Sequence, residues 1–165
     1  MTIELKDILT YPALKTAWNK VKSNNGQPGS DQQSIESYGA NQAEEIRKII
    51  YEVRRNQYLP SPLKVIYIPK PDGDERMLAI PSVRDRVIQT AVTNALYPII
   101  DKQLEPSVYG YRKGYSVKAA VEKINWYRRR GYLWVVDADI QCFFDNIPHE
   151  SILEVLSPYI DLGLK

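Results

Sequence analysis

Cysteine, histidine and phenylalanine are nearly missing from this 165-residue chain: it has one Cys, one His and two Phe. A single cysteine excludes an internal disulfide. The opening stretch, MTIELKDILTYP, has no basic segment followed by an apolar one, so a secretory signal is not expected and the cytoplasm is favoured. The lone Cys142 and lone His149 make neither a zinc site nor a nucleophile triad and read as structural. No apolar run approaches the roughly 18 residues of a membrane span, so no membrane partner is expected. An excess of one charge is lacking too. The formal net charge is +2, so the total does not mark a nucleic-acid binder and the local distribution matters more.

What is present is the composition of a soluble globular chain: 44% apolar and 25% charged residues, at a length sufficient for one domain with a core. Tyrosine is abundant, at twelve residues. Its ring offers a stacking face and its hydroxyl a polar tip, which suits a wet groove for bases or sugars and equally suits ordinary half-buried surface.

Along the chain, Leu14, Ala17, Trp18 and Val21 recur at helical spacing within residues 3 to 22. SNNGQPGSD, residues 23 to 31, predicts a loop. Asn41 opens a helix, with Glu44 three residues on as a capping-box variant. Ile46, Ile49, Ile50 and Val53 form its apolar stripe, and Pro60 and Pro62 place its end near Tyr58. LKVIYIPKPDGDERMLAIP, residues 63 to 81, predicts a hairpin around an Asp-Gly turn. Residues 84 to 104 are helical, with Pro98 expected to kink or divide the helix. Ser116 caps a further helix that runs to Arg130 and stops at Gly131. Arg128, Arg129 and Arg130 suit the negative end of that helix dipole. Tyr132 to Ile140 predicts a strand apolar on both faces, hence central in a sheet, and a last helix covers about 149 to 157. If that strand is central, most of its partners lie elsewhere, and the chain is then the front part of something longer.

Residues 137 to 149 read DADIQCFFDNIPH. Asp137 and Asp139 are two apart at the end of the expected strand and so share a face. Carboxylates there can hold Mg²⁺, and two such ions roughly 3.5–4 Å apart clamp the attacking and leaving oxygens of a phosphoryl transfer. Asp139 could bridge both ions, with the carbonyl of Ile140 as a further ligand. The same spacing is also what a capped turn or helix start would show.

The string DIQCFFDNI resembles the first catalytic motif of reverse transcriptases of the group II intron type. Other segments resemble elements of that family in the same order. GQPGSD is similar to its N-terminal Gly-x-x-Gly-x-Asp element. YIPKPDGDERMLAIPSVRDRVIQTAV is similar to its fingertip hairpin and following helix. PSVYGYRKGYSVKAAV is similar to its Tyr-Gly-[Phe/Tyr]-Arg-x-Gly-x-Ser element. The resemblance covers about residues 24 to 157.

It implies an α+β fold, the fingers and first part of the palm of a right-hand polymerase. Residues 1–31 would be an N-terminal helix and loop, 32–131 the fingers and 132–165 the start of the palm. It implies that Asp139 is catalytic and, with Ile140, binds Mg²⁺ or Mn²⁺. Phe144 stands at the position whose ring excludes a ribose 2′-hydroxyl; its plain alternative is core packing. Asp145 orders the turn. Lys70 and Arg76 flank the Asp-Gly turn, where a basic pair can reach one triphosphate; a solvated turn is the plain alternative. Arg112, among Tyr109, Tyr111 and Tyr115, joins them at the nucleotide. Arg84, Arg86, Lys113 and Tyr111 are placed at the template, since basic residues interleaved with aromatics suit single strands.

The second acidic motif, Tyr-x-Asp-Asp, does not occur. The nearest string is Tyr159-Ile160-Asp161-Leu162. Isolated, the chain is therefore expected to be inactive. Its expected partners are RNA template and primer, dNTP, a complementary C-terminal segment carrying Tyr-x-Asp-Asp, and a second copy paired through the expected strand. A maturase-like RNA-binding module assisting splicing and a non-catalytic assembly fragment are the competing expectations.

Overall fold

Leu14, Ala17, Trp18 and Val21 are the buried residues of one helix in the computed structural model, which describes residues 3–69, 71 and 73–161. The stripe expected from spacing is thus the packed face. The helical region is broken, however: a short α1 (Leu5–Ile8) precedes α2 (Tyr11–Asn24), with Pro12 in the first turn of α2, a position that needs no backbone donor. Upstream, β1 (Ile3–Glu4) pairs in parallel with a two-residue strand, Ile160–Asp161, the last described element.

The chain divides into two compact units, residues 1–97 with 157–165, and residues 98–156. The first unit holds the core. α3 (Ile35–Ala40) is unheralded by the sequence pattern; the Ser34 side chain accepts from the Ser37 amide as its N-cap. It delivers Tyr38 against Trp18, ring centroids 4.7 Å apart. α4 (Gln42–Arg54) buries Ile46, Ile49 and Val53, as its periodicity requires. Asn41 is its N-cap by position, yet its side chain makes no cap hydrogen bond, so the expected capping box is not formed. β2 (Lys64–Pro69) and β3 (Glu75–Ile80) form the expected antiparallel hairpin. The ladder closes at Pro69 and Glu75, leaving residues 70–74 as the connection, and Gly73 within it takes φ +92°. Only glycine adopts that conformation without strain.

α5 (Val83–Ile100) follows and buries Val83, Asp85, Val87, Ile88, Ala91 and Leu96. It continues past Pro98 as helix and then as the 3₁₀ turn Asp101–Gln103, although the boundary between the units falls between Tyr97 and Pro98.

The second unit is built differently. α6 (Val117–Arg128) is capped by Ser116, whose hydroxyl accepts from the Ala119 amide at 3.1 Å, and Gly131 beyond it has φ +92°. A 3₁₀ turn, Phe144–Asn146, and α7 (His149–Leu156) follow, and Ile160–Asp161 is β4. Among the described residues no apolar residue of 98–156 is buried. The strand expected over Tyr132 to Ile140 is not formed: this stretch has no regular structure, and Trp134 is 96% exposed. The physical reason is pairing. A strand is defined by its ladder, and among the described residues no strand lies beside this one. Its apolar residues on both faces anticipate a sheet that these residues do not contain.

Candidate nucleotide and nucleic-acid site

The acidic segment lies at the end of the irregular stretch Tyr132 to Ile140. Asp137, Asp139 and Ile140 are exposed, and Cys142 adopts φ +51° just beyond them. Phe144 is 75% exposed and lies edge-on to Phe143, centroids 5.4 Å apart. Burial in a core, the plain alternative for these rings, is not what the structure places there. The Asn146 side chain donates to the Cys142 carbonyl at 2.9 Å and its amide to the same oxygen at 3.2 Å. These bonds fold the chain back just after the cysteine. A carboxylate and a carbonyl are hard oxygen donors of the kind Mg²⁺ takes, so Asp139 and Ile140 fit the ion chemically. Among the described residues no group of three or more His, Cys, Asp or Glu could hold a metal.

On the hairpin, Arg76 is exposed and stands opposite Ile68 in the register. Lys70 lies outside the described residues, as does Asp72.

The remaining basic candidates are tied to protein groups. Arg84 pairs with Glu52, both side chains about four-fifths buried, and its guanidinium lies 5.4 Å from the Tyr58 ring centroid. Arg86 donates to the Gln27 carbonyl at 2.7 Å and to the Ser82 carbonyl at 3.4 Å. Burial depresses its pKa, opposed by the Asp31 carboxylate. These bonds seat the 26–31 loop on the start of α5. Gly29 is required there: a Cβ would meet the Ser82 Cα at 2.6 Å. Asp85, between these two arginines in SVRDR, is 4% exposed and accepts from Tyr58, Ser61 and Ser82. Burial and then the Asp85 carboxylate push the Tyr58 hydroxyl pKa well above its ordinary value of 10.0.

In the second unit the Arg112 side chain is 8% exposed. It binds Asp101 Oδ1 at 2.9 Å and the carbonyls of Glu105 and Val108 at 3.1 and 3.2 Å, and it stacks on Tyr115 at 4.3 Å. A planar fork with five donors suits that set. Tyr111, 97% exposed with φ +57°, and Lys113 stand at the surface of the same loop. Arg130 stacks on Trp126 at 3.4 Å, and Lys123 approaches the same ring at 4.4 Å. The basic end of α6 therefore has an aromatic partner besides the helix dipole.

Comparison with known proteins now bears on this geometry. The family described as reverse transcriptase (RNA-dependent DNA polymerase) matches residues 68–159, more than half of the chain, and the chain belongs to that family. Relatives include the group II intron-encoded protein LtrA of Lactococcus lactis subsp. cremoris, 33% identical over 69% of this chain and 19% of its own length. Protein YkfC of Escherichia coli is 31% identical over 78% of this chain and 35% of its own. The putative COX1/OXI3 intron 1 protein of Saccharomyces cerevisiae is 29% identical over 89% of this chain and 17% of its own. The chain thus spans well under half the length of these relatives. The likeness to group II intron-type reverse transcriptases read from DIQCFFDNI and its companions is borne out. The family acts on RNA and nucleotides with divalent metal ions. Among the described residues no helix is long and apolar enough to cross a membrane.

Proposed function

We propose that these residues form the fingers, 32–131, and the start of the palm, 132–165, of an RNA-directed DNA polymerase, preceded by an N-terminal segment, 1–31. The observation that carries this reading is the family match across residues 68–159, which takes in the end of β2, all of β3 and the acidic segment. Asp139, with the Ile140 carbonyl, is the contribution of this chain to holding Mg²⁺ or Mn²⁺, which neutralises charge on the transferring phosphoryl oxygens when bound. The exposed Phe144 ring takes the place where a ribose 2′-hydroxyl would clash. Arg76 and Lys70 reach the triphosphate from the hairpin. Arg112 acts at the nucleotide by shaping the loop that presents Tyr111 and Lys113 to the template. Arg84 and Arg86 serve the template side through the α5 start they anchor. The missing Tyr-x-Asp-Asp is supplied by a complementary segment, and the site of action is the cytoplasm. A second copy paired through residues 132–140 remains part of this proposal.

The test is primer extension on an RNA template with dNTPs and Mg²⁺, using this chain alone and then with a segment bearing Tyr-x-Asp-Asp and the thumb. Extension in the mixture alone is the expected result, and Asp139→Ala in that mixture abolishes it while RNA binding persists. Extension that survives Asp139→Ala overturns the metal assignment.

The exposed Tyr111 and Lys113 favour one second reading, a maturase-like module that binds RNA without polymerising. Salt-sensitive RNA binding by this chain, with no extension in the mixture, selects that reading.

A further inference from the structure

The hairpin β2–β3 is exposed on both faces over most of its length: Val65, Tyr67, Ile68, Met77 and Leu78 all face solvent. A two-stranded ribbon of this kind is marginal by itself. Its orientation is set where its two legs meet the body of the unit.

Both legs end at one carboxylate. Asp85 lies in the first turn of α5. Its Oδ2 accepts from the Ser61 amide at 3.0 Å, just before β2, and from the Ser82 hydroxyl at 2.8 Å, just after β3. Its Oδ1 accepts from the Tyr58 hydroxyl, and its own amide donates back to Ser82 Oγ at 3.0 Å. The 26–31 loop joins the same knot: Ser30 Oγ donates to the Pro62 carbonyl at 2.5 Å, and Gly29 packs against the Ser82 backbone. An apolar residue at position 85 would fill the volume. It could not gather donors from both legs, and it would leave a buried amide and hydroxyl unsatisfied.

We propose that Asp85 is a positioning residue that staples the two roots of the hairpin, with Tyr58 as its outer anchor, and so holds Arg76 in one place relative to α5. The functional half of this inference rests on the nucleotide-binding reading of the hairpin. The structural half does not.

Two measurements on the full 165-residue chain test it, using Tyr58→Phe, which keeps the ring, and Asp85→Asn, which keeps the shape. The first is amide hydrogen exchange. The ladder amides of β2 and β3 should exchange about tenfold faster in both variants, while those of α2 and α4 hold their rates. Unchanged hairpin rates overturn the proposal. So does a uniform rise across α2, α4 and the hairpin, the mark of a merely stabilising role. Should Asp85→Asn fail to fold, Tyr58→Phe carries the comparison.

The second is a double-mutant cycle on the affinity for dATP with Mg²⁺. Tyr58→Phe and Arg76→Ala should each weaken binding, and the double variant should lose less than the sum of the two. Additive losses show that Tyr58 does not act through the hairpin and overturn the functional half. No loss in Arg76→Ala, or no binding by the unaltered chain, overturns the nucleotide reading itself and leaves the exchange rates to decide the structural half.

Discussion

Arg112 is held by two kinds of partner at once, a carboxylate and a ring of carbonyls, with Tyr115 beneath it. Its role at the residue scale is to close a loop. A lysine has the charge but not the fork. Arg112→Lys should therefore open the loop about as much as Arg112→Ala, by roughly 1–3 kcal/mol. The Tyr115 amide reports this directly, since it donates to the Arg112 carbonyl at 3.3 Å; full protection of that amide in Arg112→Lys would show that charge alone suffices. Tyr58 makes a prediction with a definite sign. Its folded pKa is raised above the ordinary 10.0, by burial first and Asp85 second, and Tyr38 is raised by burial. The unfolded chain then releases these protons before the folded one does. Their contribution is intact below pH 10 and is lost as pH rises beyond it. Urea midpoints should fall above pH 10, and more shallowly in Tyr58→Phe; identical slopes would assign the loss to other groups.

At the scale of elements, the helical patterns of both units hold, and the strand expected over 132–140 does not. The stripe of α2 is buried because α4 lies against it. Leu14, fully buried, should lose about 2–5 kcal/mol on change to Ala. Val136, fully exposed in effect, should lose less than about 0.5 kcal/mol on the same change. Denaturation of the two variants compares them, and a large loss at Val136 would mean that residues 132–140 are packed after all. Asn41 and Ser116 show how far local signals reach. Both are side chains that commonly cap helices, yet only Ser116 makes the bond. Asn41 also closes α3, with φ −116° and ψ 18°, rather than the extended backbone an N-cap side chain needs. The capping-box spacing was legible; the helix in front of it was not.

For the molecule as a whole, the second unit stands out by its lack of buried apolar side chains among the described residues. Residues 98–156 have many apolar side chains and, among those described, none buried; ordering a chain without burial has little to offset its entropy. A partner that covers residues 132–136 would supply that burial. RNA affinity, by contrast, should rest on exposed cations and be governed by salt. For three or four phosphate contacts on a single strand, log K should fall with log salt at a slope of roughly −2 to −3. A slope near zero in a titration of this chain would remove the basic loop from the binding surface.

Ordered motifs, helical stripes and the hairpin were determined by the sequence itself, because each depends on residues near one another along the chain. DIQCFFDNI and its companions placed the chain in its family, and the spacing of Leu14, Ala17, Trp18 and Val21 named the packed face of α2. Tertiary structure alone decided which polar residues are held inside. Nothing local distinguishes Asp85, which gathers Tyr58 from 27 positions away and Ser61 from 24, from its neighbours in SVRDR. It also decided that Tyr132 to Ile140 is no strand here. Apolar residues on both faces make a segment fit for a sheet, but hydrogen-bonding partners make the sheet, and among the described residues this stretch has none.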